Sequence, residues 1–203
     1  MAGLARAPEP DGGLAELLAD IRACRACAGE LPHAPRPVVR VFPETRILIS
    51  GQAPGRRVHK SGLPFDDPSG DRLRSWLGID RETFYGDRRI GVAGMAFCFP
   101  GTDPRGGDYP PPPRCAELWR RRLLDDLPNV ELHLLVGSYA IDWTRGRRSP
   151  MTPAVAAWRD HLPKAIPLPH PSWRNTAWLK KNPWFEDDVV PFLRIRAAEI
   201  LAR

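Results

Sequence analysis

Four cysteines carry the most telling spacing in this chain. Cys24 and Cys27 form a C-x2-C pair, and Cys98 and Cys115 lie far downstream with sixteen residues between them. Two sulfurs on one turn can share a metal, while the other two have to be brought in by folding. Zinc accepts four thiolates, but structural zinc sites usually carry two tight pairs. An iron–sulfur cluster has a larger body and tolerates spread ligands. On spacing alone a cluster, a zinc ion and four unligated thiols all stay open.

A second set of candidates lies at turns. GQAPG, residues 51–55, directly follows RILIS, so an apolar run enters a turn with two glycines and a proline. Such a turn at a strand end is where an α/β protein places its ligand. It offers bare backbone N–H groups and the amide of Gln52, and no charge. GLPFDDPSGD then supplies Phe65 and the carboxylates Asp66, Asp67 and Asp71, and HPSWRN supplies His170 and Asn175.

The elements that have to hold these residues read as alternating strands and helices. Leu14, Leu17, Leu18 and Ile21 follow the i, i+3, i+4, i+7 pattern of an amphipathic helix. Strands are expected at residues 46–50, 89–97, 131–136 and 165–168. Helices are expected at 71–77 with Ser69 as cap, 115–124, from Ser138, 153–162 and 184–201, with Pro191 bending the last or starting its second half. The alternation predicts a three-layer α/β/α sandwich around a central, four-stranded, mainly parallel sheet. The loops after its strands then carry the candidates.

The length of 203 residues fits one domain with a proper core, expected over 13–203 after a loose, Pro/Gly-rich stretch at 1–12. The net charge of +6 favours a polyanionic partner. Arg56, Arg57, Lys60 and Arg174, with the arginines of 145–148 and Lys180 and Lys181, form a basic rim that suits a phosphate backbone. The first residues lack an apolar signal core and no window is apolar enough to span a membrane, so a cytoplasmic protein is expected.

Taken together, GQAPG, SGLPF, SGDRL, the four cysteines and HPSWRN resemble the uracil-DNA glycosylase superfamily over roughly residues 20–200. In bacterial and archaeal families four and five a similar turn leads to G-x-P-F, and four cysteines spaced like these bind a 4Fe–4S cluster. The resemblance implies that Cys24, Cys27, Cys98 and Cys115 hold a structural cluster. GLPFDDPSGDRLRSWLGI and HPSWRNTAWLKKNPW also resemble the single-strand-selective monofunctional uracil glycosylases. The chain therefore reads as a cluster-bearing core with that family's DNA-wedge loop.

The resemblance implies a monomeric DNA-repair enzyme that hydrolyses the C1′–N1 bond of uracil in DNA and leaves an abasic site. Phe65 would stack on the flipped base, Arg174 with Trp173 would fill the hole in the duplex, and groups around Ser172 would contact phosphates. His170, with the backbone N–H groups of Gln52 and Ala53, would stabilise charge growing on uracil O2. Many relatives place Asp or Asn where Ala53 stands; here Asp67 is the expected water-positioning acid, with Asp66 its rival. Relatives also read uracil with an Asn on the second strand, and IGVAGMAFCFPG contains none. Base reading then falls to backbone groups, Gln52, Asn175 or an arginine. RRVHK at 56–60 is similar to a loop of covalent uracil-trapping relatives, but theirs lies later in the chain, and His59 reads as part of a solvated basic loop. The alternatives are a glycosylase for another damaged base and an inactive, cluster-bearing DNA binder.

Overall fold

Every residue of β1 (Ile47–Ser50) is buried, as a strand covered on both faces requires. A computed structural model describes residues 13–203; the expectation for residues 1–12 falls outside the described residues. In it, α1 (Leu14–Ala23) precedes β1 and buries Leu17, Leu18 and Ile21, the stripe read from the sequence. After β1 come α2 (Arg56–Ser61), α3 (Pro68–Leu77), α4 (Arg81–Gly86), β2 (Ile90–Val92) and α5 (Pro113–Asp125). Then follow β3 (Leu132–Val136), α6 (Ser138–Arg145), α7 (Met151–Ala156), β4 (Ala165–Leu168), α8 (Thr176–Lys181) and α9 (Val190–Leu201).

The sheet order is β2-β1-β3-β4, and all three pairings are parallel. An antiparallel bridge, Arg40 to Val92, covers part of the β2 edge. Side chains alternate between two cores. Ile47 and Ile49 pack with Leu73 and Leu77 of α3 and with Leu193 and Ala197 of α9. Leu48 packs with Leu17 and Ile21 of α1 and Leu123 of α5 on the other side. The architecture is thus the expected three-layer sandwich. Its chain leaves β1 toward one edge and β3 toward the other, which opens a crevice at the strand ends between them.

Differences from the sequence expectation have local causes. The second strand stops at Val92 rather than residue 97, because the backbone beyond it turns toward the loop after β1. Met95 donates to the Gly51 carbonyl at 2.9 Å and Ala96 to the Gln52 carbonyl at 3.0 Å. The cap of α3 is Asp67, whose side chain accepts from the Gly70 N–H, with Pro68 opening the helix; Ser69 lies inside it. The stretch 56–60 is helical rather than a loop. The helix expected at 153–162 divides into α7 and a tight turn at Trp158–His161. Pro191 starts the second half of the last helix, after a wide turn at Phe185–Val189.

Candidate active site

The crevice is a pocket whose lining includes Val38, before β1, and Val58 of α2. Gly51 to Gly55 come from the turn after β1; Pro64, Phe65, Asp67 and Ser69 lead into α3; Val92 and Gly94 end β2; His170 follows β4. Strand ends place the turn after β1, Val92–Gly94 and His170, and the start of α3 brings Phe65 and Asp67 to them. Gln52, Ala53, Phe65, Asp67 and His170, named from the sequence, therefore share one pocket.

Phe65 is held in an unusual conformation. Its φ is 57°, in the left-handed region that bulky side chains rarely adopt. Such a residue costs about 1–3 kcal/mol and persists only where its surroundings fix it. Tyr85 Oη donates to the Pro64 carbonyl at 2.9 Å, and Arg74, itself buried, donates to the Phe65 carbonyl at 3.3 Å. Gly70 lets that carbonyl approach: a Cβ there would stand 1.8 Å from the Phe65 oxygen. The Phe65 ring lies against Gly51, where a Cβ would meet it at 3.4 Å. The sequence reading picks out the ring and leaves out the Arg74 and Gly70 supports, since nothing in SGDRLR announces them.

His170 is half-buried. Its Nδ1 accepts from the Ser172 N–H at 3.2 Å, so in the neutral ring Nε2 carries the proton. Burial lowers its pKa, and nearby Asp67 offsets part of that, so the ring stays neutral at neutral pH. Asn175 Nδ2 donates to the His170 carbonyl at 2.7 Å. Arg72 of α3 donates to the Ser172 carbonyl at 3.0 Å, tying this loop to the helix that follows Phe65.

One oxygen of Asp67 accepts from Gly70 N–H at 2.9 Å while the residue lines the pocket. Asp66 does not line it; an ion pair with Arg81 at 2.7 Å holds its carboxyl below the usual range. Gln52 gives its amide N–H to the Tyr109 carbonyl at 3.2 Å. Asn175 stands outside the pocket lining, its amide spent on His170.

The rim is basic and carries one large aromatic. Arg56, Arg57 and Lys60 are exposed on α2, and Arg56 reaches Thr102 at 3.3 Å. Trp173 is 75% exposed, whereas the Ser172 backbone N–H is committed to His170. Arg174 lies over the Trp173 ring, 5.5 Å from its centre, and packs on Gly107, where a Cβ would come within 2.5 Å of the guanidinium. Asp108, absent from the sequence candidates, stands beside Gly55 on an exposed loop. Protein crowded around its carboxyl raises its pKa, and Arg174 counters this.

A second cavity gathers all four cysteines. Cys24 and Cys27 reach it from the loop after α1, Cys98 from beyond β2 and Cys115 from α5, with Ile21, Phe97 and Trp119 completing apolar walls. The thiols are free. Burial pushes Cys98 up to about 11 and Cys115 up to about 12, and the neighbouring sulfurs add to both shifts. The Phe97 N–H points at the Cys115 sulfur, 3.4 Å away. Among the described residues no three Cys, His, Asp or Glu side chains gather tightly enough to hold a single metal ion. As a donor set, four soft sulfurs in an apolar cavity fit a thiolate-bound metal group.

A doubly covered parallel sheet thus carries a bare-backbone turn, a fixed aromatic and a neutral histidine at its carboxyl end. The sequence model of the uracil DNA glycosylase superfamily matches residues 39–194. The chain belongs to the uracil DNA glycosylase superfamily, and its class is that of DNA-repair glycosylases. Cys98 and Cys115 lie inside the matched residues, and Cys24 and Cys27 before them. A solution structure described as a candidate uracil DNA glycosylase from Methanosarcina acetivorans is similar at 17% identity with a TM-score of 0.48, over 78% of this chain and 94% of that one. Among the described residues no helix is long and apolar enough to cross a membrane.

Proposed function

We propose that the protein is a monofunctional uracil-DNA glycosylase. The observation that carries this reading is the single pocket in which Phe65, the Gly51–Gly55 backbone, Asp67 and neutral His170 meet. A base extruded from DNA would stack on Phe65. As the C1′–N1 bond breaks, its electron pair passes to the base and charge collects on O2, while the sugar becomes cation-like. The His170 Nε2–H and backbone N–H groups at Gln52 and Ala53 would donate to that oxygen. Water attacks C1′ from the opposite side, and the free oxygen of Asp67 takes its proton. The products are the free base and an abasic site.

Exposed Arg56, Arg57 and Lys60 would meet the phosphates, and Trp173 with Arg174 would face the duplex beside the pocket. The four cysteines are proposed to hold a structural 4Fe–4S cluster. Bound, it would supply iron–thiolate bonds tying the loop after α1 to α5 and to the segment beyond β2. Protein purified without oxygen should then be brown and contain about four irons per chain; colourless protein with one zinc would remove the cluster.

A second reading, a glycosylase for another damaged base such as hypoxanthine or 5-hydroxymethyluracil, draws on one observation. Gln52 and Asn175 each give one amide N–H to a protein carbonyl and Asn175 lies outside the pocket lining, which leaves base choice to the remaining Gln52 amide groups, backbone and pocket shape. Labelled oligonucleotides carrying each lesion, incubated with protein and then treated with alkali, separate the readings. Scission at uracil supports the first, scission only at another base supports the second, and none at any lesion sinks both.

A further inference from the structure

Arg120 of α5 is among the largest fully buried side chains, 1% exposed, yet no carboxylate pairs with it among the described residues. Its Nη1 donates to the Ala93 carbonyl at 3.1 Å and reaches the Gly94 carbonyl at 3.5 Å. Its Nη2 donates to Ser50 Oγ at 2.5 Å, and Nε has no partner. Nη2 also lies 3.2 Å from His133 Nε2; because a guanidinium only donates, that nitrogen is an acceptor, and the Ser50 oxygen, which accepts from Arg120, gives its own O–H to it, 2.7 Å away. The Trp143 ring closes the far side, 5.0 Å from the guanidinium carbon.

This leaves one uncompensated positive charge inside the protein. Burial lowers Arg120 to about 10, which still leaves it charged at neutral pH, and burial together with Arg120 brings His133 down to about 3, so the imidazole is neutral. A buried charge without a partner is costly, and a fold that keeps one keeps it against a large penalty. The place explains the cost. Ser50 is followed by Gly51, and Gly94 follows Ala93; both glycines line the active pocket. The guanidinium therefore lies one backbone layer behind the pocket floor.

We propose that Arg120 is a positioning residue for base release: its charge waits behind the Gly51–Gly94 floor for the negative charge that forms on the leaving base. This rests on the glycosylase reading above. The partner that the buried cation lacks in the free protein is the transition-state anion itself, which is how fixed charge favours reaction over binding.

The test varies the leaving group. Fluorine on C5 stabilises the base anion, so 5-fluorouracil needs less help than uracil. Single-turnover rates on both, with DNA affinity measured separately, are compared for wild type and Arg120→Met. The expected result is uracil release slowed on the order of tenfold to a hundredfold, a clearly smaller loss with 5-fluorouracil, unchanged DNA affinity, and partial recovery in Arg120→Lys. Should Arg120→Met fail to fold, Ser50→Asp keeps the arginine and hands it a carboxylate; it should slow uracil more than 5-fluorouracil in the same way. Equal losses on the two bases, or none, in a folded variant overturn the proposal while leaving the glycosylase reading intact. Wild-type protein that releases neither base overturns that reading and the proposal with it.

Discussion

In the proposed reaction His170 and Asp67 divide the chemistry in a way the hydrogen bonds make testable. With Nδ1 accepting from Ser172, neutral His170 is a donor at Nε2, and burial keeps it neutral below the ordinary histidine range. Protonation would add a charge and cost the Ser172 bond. Because the shift is downward, the working form persists as pH falls through 6.5 and is lost only below it. Single-turnover rates should thus stay level from pH 8 to the ordinary histidine pKa before declining. His170→Ala should cost about a hundred- to a thousand-fold, the usual loss for one such donor. Asp67 has two tasks, since it also caps α3. Asparagine caps about as well as aspartate, so Asp67→Asn removes the base and keeps the helix. It should lower the rate by up to about a hundred- to ten-thousand-fold with little change in melting temperature, whereas Asp67→Ala should also lose about 0.5–2 kcal/mol of stability. Asp66, paired with Arg81 outside the pocket, is the control: Asp66→Asn should leave the rate near wild type. A wild-type rate in His170→Ala beside an inactive Asp66→Asn would reverse the assignment.

The start of α3 is the element on which the pocket depends most. Pro68 and the Asp67 cap set its first turn, Gly70 accepts the Phe65 carbonyl against its backbone, and Arg74 one turn on holds that same carbonyl. The strain at Phe65 is thus offset by a helix N-terminus built around it. A methyl group at position 70 would stand 1.8 Å from the Phe65 oxygen and 2.7 Å from its carbon, and backbone on both sides cannot yield as a flexible side chain would. Gly70→Ala should cost about 1–3 kcal/mol in chemical denaturation, the usual range for overpacking. It should also slow base release, because the Phe65 ring must move off Gly51. A variant with wild-type stability and rate would mean that the Phe65 conformation is not enforced from Gly70. Sequence periodicity makes the helix legible and leaves this contact hidden. Ser69 looks as good a cap as Asp67 in DDPSGD, and only the fold shows which side chain meets the orphan N–H groups.

At the scale of the whole molecule, what was legible depended on whether the signal was local. Short apolar runs such as RILIS and ELHLLV and the 3.6-residue stripe of α1 gave the layers, and strand-end turns gave most of the pocket. The extent of β2 was not legible, because Met95 and Ala96 leave the ladder to bond the turn after β1, a partnership no propensity records. Arg120 was equally hidden: in ELWRRR nothing marks which arginine turns inward. The same limit applies to the wedge, where the sequence motif favours Arg174. Folded, Arg174 packs over the Gly106–Gly107 turn and the Trp173 ring, a position suited to bracing the loop and meeting a phosphate, while Trp173, three residues after His170, stands 75% exposed. An exposed indole is costly in water and gains by entering a base stack, where an aromatic face is worth about 1–3 kcal/mol. The hole left by a flipped base exists only in a duplex. Trp173→Ala should therefore weaken action on duplex DNA roughly tenfold or more while sparing single strands, since that energy is about a decade or two in rate. Arg174→Ala should weaken both substrates alike and reduce the dependence of binding on salt by about one phosphate contact. Matched single-turnover rates on the two substrates, across a salt series, distinguish the roles. A duplex-specific loss in Arg174→Ala with none in Trp173→Ala would return the wedge to the arginine.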